Sequence, residues 1–175
     1  MNPVNPKKYN FCPVCGASLL EKFITEEHTN RLVCKQCDFI FYQNPVPAVA
    51  VILQNKNEIL LVKRKYPPRI GDWTLPAGFM EYDEIPKETA IRETKEETNL
   101  DIIITGLFDI FPAFDDARAH VVLIVYRAKI LGGDLSPGDD ASDVSFFSMN
   151  DLPENIAFSA HREVLATLAD LQKLN

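Results

Sequence analysis

The chain has 175 residues, 46% of them hydrophobic and 25% charged, with a formal net charge of −7; it can bury a substantial core and is too acidic to follow a nucleic-acid backbone. It has no run of about 18 apolar residues, which excludes a membrane-spanning helix. The opening MNPVNPKKYN lacks the apolar stretch of a signal peptide, so the expected compartment is the reducing cytoplasm.

The first informative feature is a pair of knuckles, Cys12-Pro13-Val14-Cys15 and Cys34-Lys35-Gln36-Cys37, separated by 18 residues. Four thiolates in two tight turns can close a tetrahedron around structural Zn²⁺ with no position left open for catalysis. Two disulfides would need an oxidising compartment, and a redox pair would not need a duplicate. The segment between the knuckles alternates weakly and reads as a short hairpin turning at Thr29-Asn30, with His28 at the surface near its tip. Residues 1–44 therefore resemble a zinc ribbon, a module too small to fold on its core alone and dependent on metal for its folding energy.

Pro45 and Pro47 mark the boundary, and residues 45–175 read as the main domain. AVAVIL and EILLVKR are predicted strands around the polar turn Gln54–Asn57, followed by a proline-rich loop and a WTLPAG strand. A helix is predicted from Pro86 to a left-handed stop at Asn99. DIIITGLF and AHVVLIVYRAKI are strands, the second central. Between them Phe111, Pro112, Phe114, Asp115 and Asp116 form a loop. VSFFS is a short strand, and an amphipathic helix begun by Ser159 closes the chain. This order predicts an α/β class: an α/β/α sandwich around a mixed sheet.

On the first helix, at about 100° per residue, Glu96 and Glu97 fall roughly 60° and 40° to either side of Glu93. Ala90, Ile91, Thr94 and Thr98 form a neighbouring arc expected to face the core. The acidic pair sits in the last helical turn, where the helix dipole already presents negative charge, so a divalent cation would relieve the crowding. A solvated, glutamate-rich face would have the same composition, and the surrounding spacing decides between the two.

Gly78, Glu84, Arg92, Glu93, Glu96, Glu97 and Leu100 match G-x5-E-x7-R-E-U-x-E-E-x-G-U, with U apolar, and the segment resembles the box of the Nudix hydrolases. Thr94 and Asn99 depart from it, at positions normally aliphatic and glycine; neither is a metal ligand. The resemblance implies hydrolysis of a nucleoside diphosphate linked to another moiety. Mg²⁺ or Mn²⁺ would be held by Glu93, Glu96 and Glu97 with the Gly78 carbonyl, and Glu84 and Arg92 would orient loop and helix. Asp139, Asp140 and Asp143 are candidate general bases from a later loop. Asp115 and Asp116 compete with them, and each also reads as an ordinary surface-loop residue.

A zinc ribbon leading into such a domain resembles NADH pyrophosphatases, but their SQPWPFP-type stretch is missing. Phe41-Tyr42-Gln43-Asn44-Pro45, WTLPAG and Ala157-Phe158-Ser159 look more like the plant-type FAD and ADP-ribose diphosphatases, implying FAD or ADP-ribose as substrate. Phe79, Phe111, Phe114 and Phe158 are candidates to stack on its flat rings. The family also implies a homodimer. A sensor that binds such a ligand without turnover, and a nucleic-acid-binding zinc-ribbon protein, are the other readings. Against the latter, residues 1–44 hold five basic and four acidic residues, which leaves 13 and 21 of the totals, 18 and 25, for residues 45–175.

Overall fold

A computed structural model describes residues 9–115, 119–138 and 140–173; Asp116 and Asp139 lie outside the described residues. The chain divides into two compact units, Met1–Pro45 and Val46–Asn175.

The first unit holds β1 (Leu19–Ile24), β2 (Thr29–Cys34) and β3 (Ile40–Phe41) in one antiparallel sheet of order β1-β2-β3. Thr29 and Asn30 belong to β2, paired with Ile24 and Phe23, and the turn lies just before them. His28, exposed and left-handed at φ 50°, closes it, so the polar pair expected to turn the chain instead begins the return strand. Among the described residues Cys12, Leu19 and Cys34 form the unit's buried cluster, too small to hold a unit of this size alone.

The second unit contains β4 (Val46–Asn55), β5 (Glu58–Arg64), β6 (Trp73–Thr74), β7 (Ala77–Phe79), α1 (Pro86–Thr98), β8 (Asp101–Ala113), β9 (Val121–Gly132), β10 (Ala141–Ser148) and α2 (Ser159–Lys173). The main path runs β10-β5-β4-β9-β8, with β6 beside β5 and β7 beside β4. Strands β4 and β9 are parallel and the other pairs antiparallel, giving the mixed sheet. β4 is buried on both faces. Ala48, Ala50 and Ile52 join the α2 residues Ala160, Val164, Leu165 and Leu168 on one side. Val49, Val51 and Leu53 meet Ala90 of α1 and Leu100 on the other. Two helical layers therefore enclose the sheet, and each fully buried aliphatic side chain contributes roughly 1.5–3 kcal/mol.

Three local expectations are corrected. WTLPAG is two short strands, because the chain leaves β5 after Thr74 and joins β4 at Ala77, with the Pro76 carbonyl accepting the Val51 N–H. β8 continues through Ala113, so Phe111 and Pro112 are strand residues; β8 is an outer strand of the main path, where proline is tolerated. On α1, Ile91 is exposed and Glu97 is buried along with Thr89, Ala90, Thr94 and Thr98. Helix α2 begins at Ser159, whose N–H donates to Asp115 Oδ2 at 2.7 Å, so its N-terminal cap comes from a residue remote in sequence.

Candidate active site and metal centres

Helix α1 is fixed at both ends. Pro86 occupies its first position, and the Glu88 carboxylate accepts the Ile85 N–H at 3.1 Å. Asn99 takes the left-handed conformation at φ 59° expected for the stop. The loop before β10 then satisfies the last carbonyls: Gly138 N–H donates to Glu97 O (3.1 Å) and Ser136 N–H to Thr98 O (3.2 Å). A Cβ on Gly138 would overlap the Glu96 carbonyl oxygen, so the loop lies flush against the helix only with glycine there. This contact brings Asp140 within electrostatic reach of Glu93 and Glu97.

Arg92 is the hub of the site. It donates to Glu84 from Nε (2.5 Å) and Nη2 (2.9 Å), and from Nη1 to Glu93 (2.7 Å) and Glu96 (2.9 Å). Nη2 also reaches the Phe79 carbonyl at 3.2 Å, tying the helix to β7. Glu84 accepts from the Glu81 N–H and the Thr89 hydroxyl as well. Its carboxyl is lowered to about 2, first by the Arg92 bonds and then by the Glu81 N–H.

Glu97 has a different environment. It is 7% exposed, and its Oε2 accepts the Ala77 N–H at 2.9 Å. Burial, reinforced by the charges of Glu93 and Asp140, raises its carboxyl to about 8 against the pull of the Ala77 bond. Glu93 is also raised, by burial first and against the effect of Arg92. Glu96 is exposed.

A Cβ on Gly78 would overlap the Glu93 carboxylate, so glycine alone leaves that carboxylate its place beside β7. Hard carboxylate oxygens, two of them held against burial, suit Mg²⁺ or Mn²⁺. Among the described residues only the four cysteines bring three or more ligand atoms into one tight cluster. Glu93, Glu96 and Glu97 form an acidic seam along α1 whose carboxylates stand further apart, Glu93 and Glu96 turned to Arg92 and Glu97 to Ala77.

The remaining candidates separate clearly. Asp143 is exposed on β10, its Oδ1 accepting the Val144 N–H at 2.8 Å. Asp115 caps α2 and lies 3.6 Å from Arg162. Phe79 and Phe158 line a cavity that also borders Ala77 and Gly78. Phe111 is buried in the core, in stacked contact with Phe108. Phe114 is exposed and meets His120 edge-on.

The cavity also holds residues that sequence reasoning missed, Arg64, Thr74 and His161. They come from three separate elements and form no motif. The seam and the cavity share Ala77 and Gly78: the Ala77 N–H holds Glu97 on one side, while both residues line the cavity on the other.

In the first unit the four cysteine sulfurs lie within 4.8 Å of one another, with Cys12–Cys37 at 3.8 Å and Cys15–Cys34 at 3.4 Å. A tetrahedron with Zn–S of about 2.3 Å has edges of about 3.8 Å, so these sulfurs fit zinc. The knuckles repeat one another. Val14 N–H donates to Cys12 Sγ and Gln36 N–H to Cys34 Sγ, both at 3.4 Å, and each second cysteine is followed by a left-handed residue, Gly16 or Asp38. The backbone N–H groups of Cys37 and Gln36 lower Cys34 to about 6. Cys37, despite the Phe39 N–H, is pushed up to about 12 by burial and the other three thiols. Four thiolates this close require a cation.

The NUDIX domain family model matches residues 44–168, and the zinc-ribbon model described as Nudix N-terminal matches residues 10–43. The ADP-ribose pyrophosphatase of Methanocaldococcus jannaschii is 41% identical over 158 residues, covering 89% of this chain and 92% of that protein. The NAD-capped RNA hydrolase NudC of Vibrio atlanticus is 30% identical over 173 residues, and this chain spans 59% of its length and is itself covered over 93%. The crystal structure of a NUDIX hydrolase from Nitrosomonas europaea superposes with a TM-score of 0.79 at 36% identity, covering 90% of this chain and 88% of that one. No helix among the described residues is long and apolar enough to cross a membrane. With a family match over most of its length, a ribbon model ahead of it and the same fold at 36% identity, the chain belongs to the Nudix hydrolase family.

Proposed function

We propose that this chain hydrolyses a nucleoside diphosphate linked to another moiety, with ADP-ribose the favoured substrate and FAD the next, to two monophosphates in the presence of Mg²⁺ or Mn²⁺. The observation that carries the reading is the shared wall: Ala77 and Gly78 border both the buried carboxylates of α1 and the cavity lined by Phe79 and Phe158. A substrate seated in that cavity would have its diphosphate beside the seam. The Methanocaldococcus relative named for ADP-ribose supports this choice.

Glu93, Glu96, Glu97 and the Gly78 carbonyl would hold the metal. When bound, it would neutralise non-bridging phosphate oxygens and acidify water. The chain's own work is positioning. Arg92 locks Glu84, Glu93 and Glu96 into one network and ties α1 to β7. Asp140, held near Glu93 and Glu97 by the Gly138 contact, is the favoured base to take a proton from the attacking water; Asp143 is the weaker candidate. Residues 1–44 would form a zinc-stabilised domain and residues 45–175 the catalytic domain, with Cys12, Cys15, Cys34 and Cys37 as zinc ligands.

The test is a panel of ADP-ribose, FAD, NADH and nucleoside triphosphates with Mg²⁺ or Mn²⁺, with products separated by chromatography. The reading predicts AMP with ribose 5-phosphate, or AMP with FMN. Cleavage of NADH alone would move the assignment to the NADH pyrophosphatases, and cleavage of none would refute it.

A further inference from the structure

His161 is the most buried titratable side chain of the cavity and has no part in the metal seam. It is 5% exposed, and its ring lines the cavity together with Ala48, Phe79, Leu123 and Phe158. The Leu75 backbone N–H donates to its Nδ1 at 3.2 Å. A backbone N–H can only donate, so Nδ1 must be the unprotonated nitrogen and the proton of the neutral ring must sit on Nε2. Burial, with the charges of Arg64 and Arg162 and against that of Asp115, lowers the imidazole to about 4, which keeps this single tautomer through neutral pH.

Among the described residues Nε2 has no hydrogen-bond partner and is not sealed from solvent, and the residue lines the cavity. The cavity therefore presents one fixed N–H donor among mostly apolar walls. One wall carries π surface: the Arg64 guanidinium lies 5.3 Å from the centre of the Phe158 ring, and the Phe158 and His161 rings are 5.9 Å apart and tilted by 44°. A flat heteroaromatic ring with an acceptor on its edge meets both conditions.

We propose that His161 reads the base of a nucleotide in this cavity, its Nε2–H donating to a ring nitrogen or carbonyl oxygen on the base edge. The inference rests on the nucleotide reading above and adds the residue that selects the base. Asn is the informative replacement. Its Oδ1 can take the place of Nδ1 and accept the Leu75 N–H, while its shorter side chain withdraws the donor from the cavity.

AMP and ribose 5-phosphate are titrated calorimetrically into wild type and His161→Asn, and the wild-type imidazole nitrogens are followed by ¹⁵N NMR. The expected result is about tenfold weaker AMP binding in the variant, as for one lost hydrogen bond, with ribose 5-phosphate affinity unchanged. The NMR should place the proton on Nε2 and show that resonance moving with AMP. Equal AMP affinity in the two proteins, equal losses for both ligands, a proton on Nδ1, or no AMP binding by wild type would each overturn the inference. If wild type cleaves ADP-ribose while the variant binds AMP normally, only the role of His161 falls. If wild type neither cleaves nor binds a nucleotide, the proposed function falls with it.

Discussion

Replacing Glu97 with Gln should strengthen the metal-free fold while removing the response to Mg²⁺. The Glu97 carboxyl rises from its ordinary 4.5 to about 8, chiefly through burial. Folding therefore takes up a proton between those values, and the contribution of Glu97 to stability is full below pH 4.5 and lost as pH rises through 8. At pH 7 the loss is about 3 kcal/mol, and above pH 8 it approaches about 5 kcal/mol. The amide of the Glu97→Gln variant would keep an oxygen for the Ala77 N–H and would not titrate, so the variant would escape that loss. The assay is thermal unfolding at pH 5 and pH 8 in buffer freed of divalent ions over a resin, since a soluble chelator would also strip the ribbon. The variant should match wild type at pH 5 and melt several degrees higher at pH 8. Millimolar Mg²⁺ should raise wild type by an amount set by its saturation, about 2.7 kcal/mol at a hundred times Kd, and leave Glu97→Gln unmoved. A variant that melts at or below wild type at pH 8, or that responds equally to Mg²⁺, would refute the reasoning.

Other predictions follow from the same geometry. Mg²⁺ affinity, measured calorimetrically, should rise about tenfold per pH unit up to about 8 and level off above, because the ion competes with the Glu97 proton; a flat profile would count against Glu97 as a ligand. Purified protein should contain about one zinc per chain, and its removal should unfold residues 10–43 by hydrogen exchange while Val46–Asn175 keeps its protection; a protected ribbon without zinc would be contrary to the cysteine geometry. Gly138→Ala should cost about 1–3 kcal/mol in thermal unfolding and slow turnover by shifting Asp140, because the added methyl meets the backbone of Glu96 and no rotamer relieves it. An unchanged melting curve would refute that contact.

The ribbon ligands and helix α1 were legible because their chemistry is local: two C-x2-C spacings, a proline at the helix start, an asparagine at its stop and charges at fixed offsets. What the sequence concealed was set by contacts between distant residues. Angular arithmetic gave Glu93, Glu96 and Glu97 equal standing, but Ala77 buries Glu97 and Arg92 leaves Glu96 in solvent. The same arithmetic placed Ile91 inside with Ala90, Thr94 and Thr98, but the helix buries Thr89 and leaves Ile91 exposed. Helix α2 is capped by Asp115 from 44 residues away, and His161 is oriented by Leu75 from 86 residues away, pairings that periodicity cannot reveal. Phe111 carried no mark distinguishing it from Phe158; only the continuation of β8 put one in the core and left the other at the cavity.

The most direct test of the central claim is AMP release from ADP-ribose by wild type and Glu97→Gln, each with Mg²⁺ and without it in metal-freed buffer. The account predicts AMP and ribose 5-phosphate in equal amounts from wild type with Mg²⁺, and release reduced by orders of magnitude in the other three conditions. Undiminished release without the metal, or from Glu97→Gln, would contradict it.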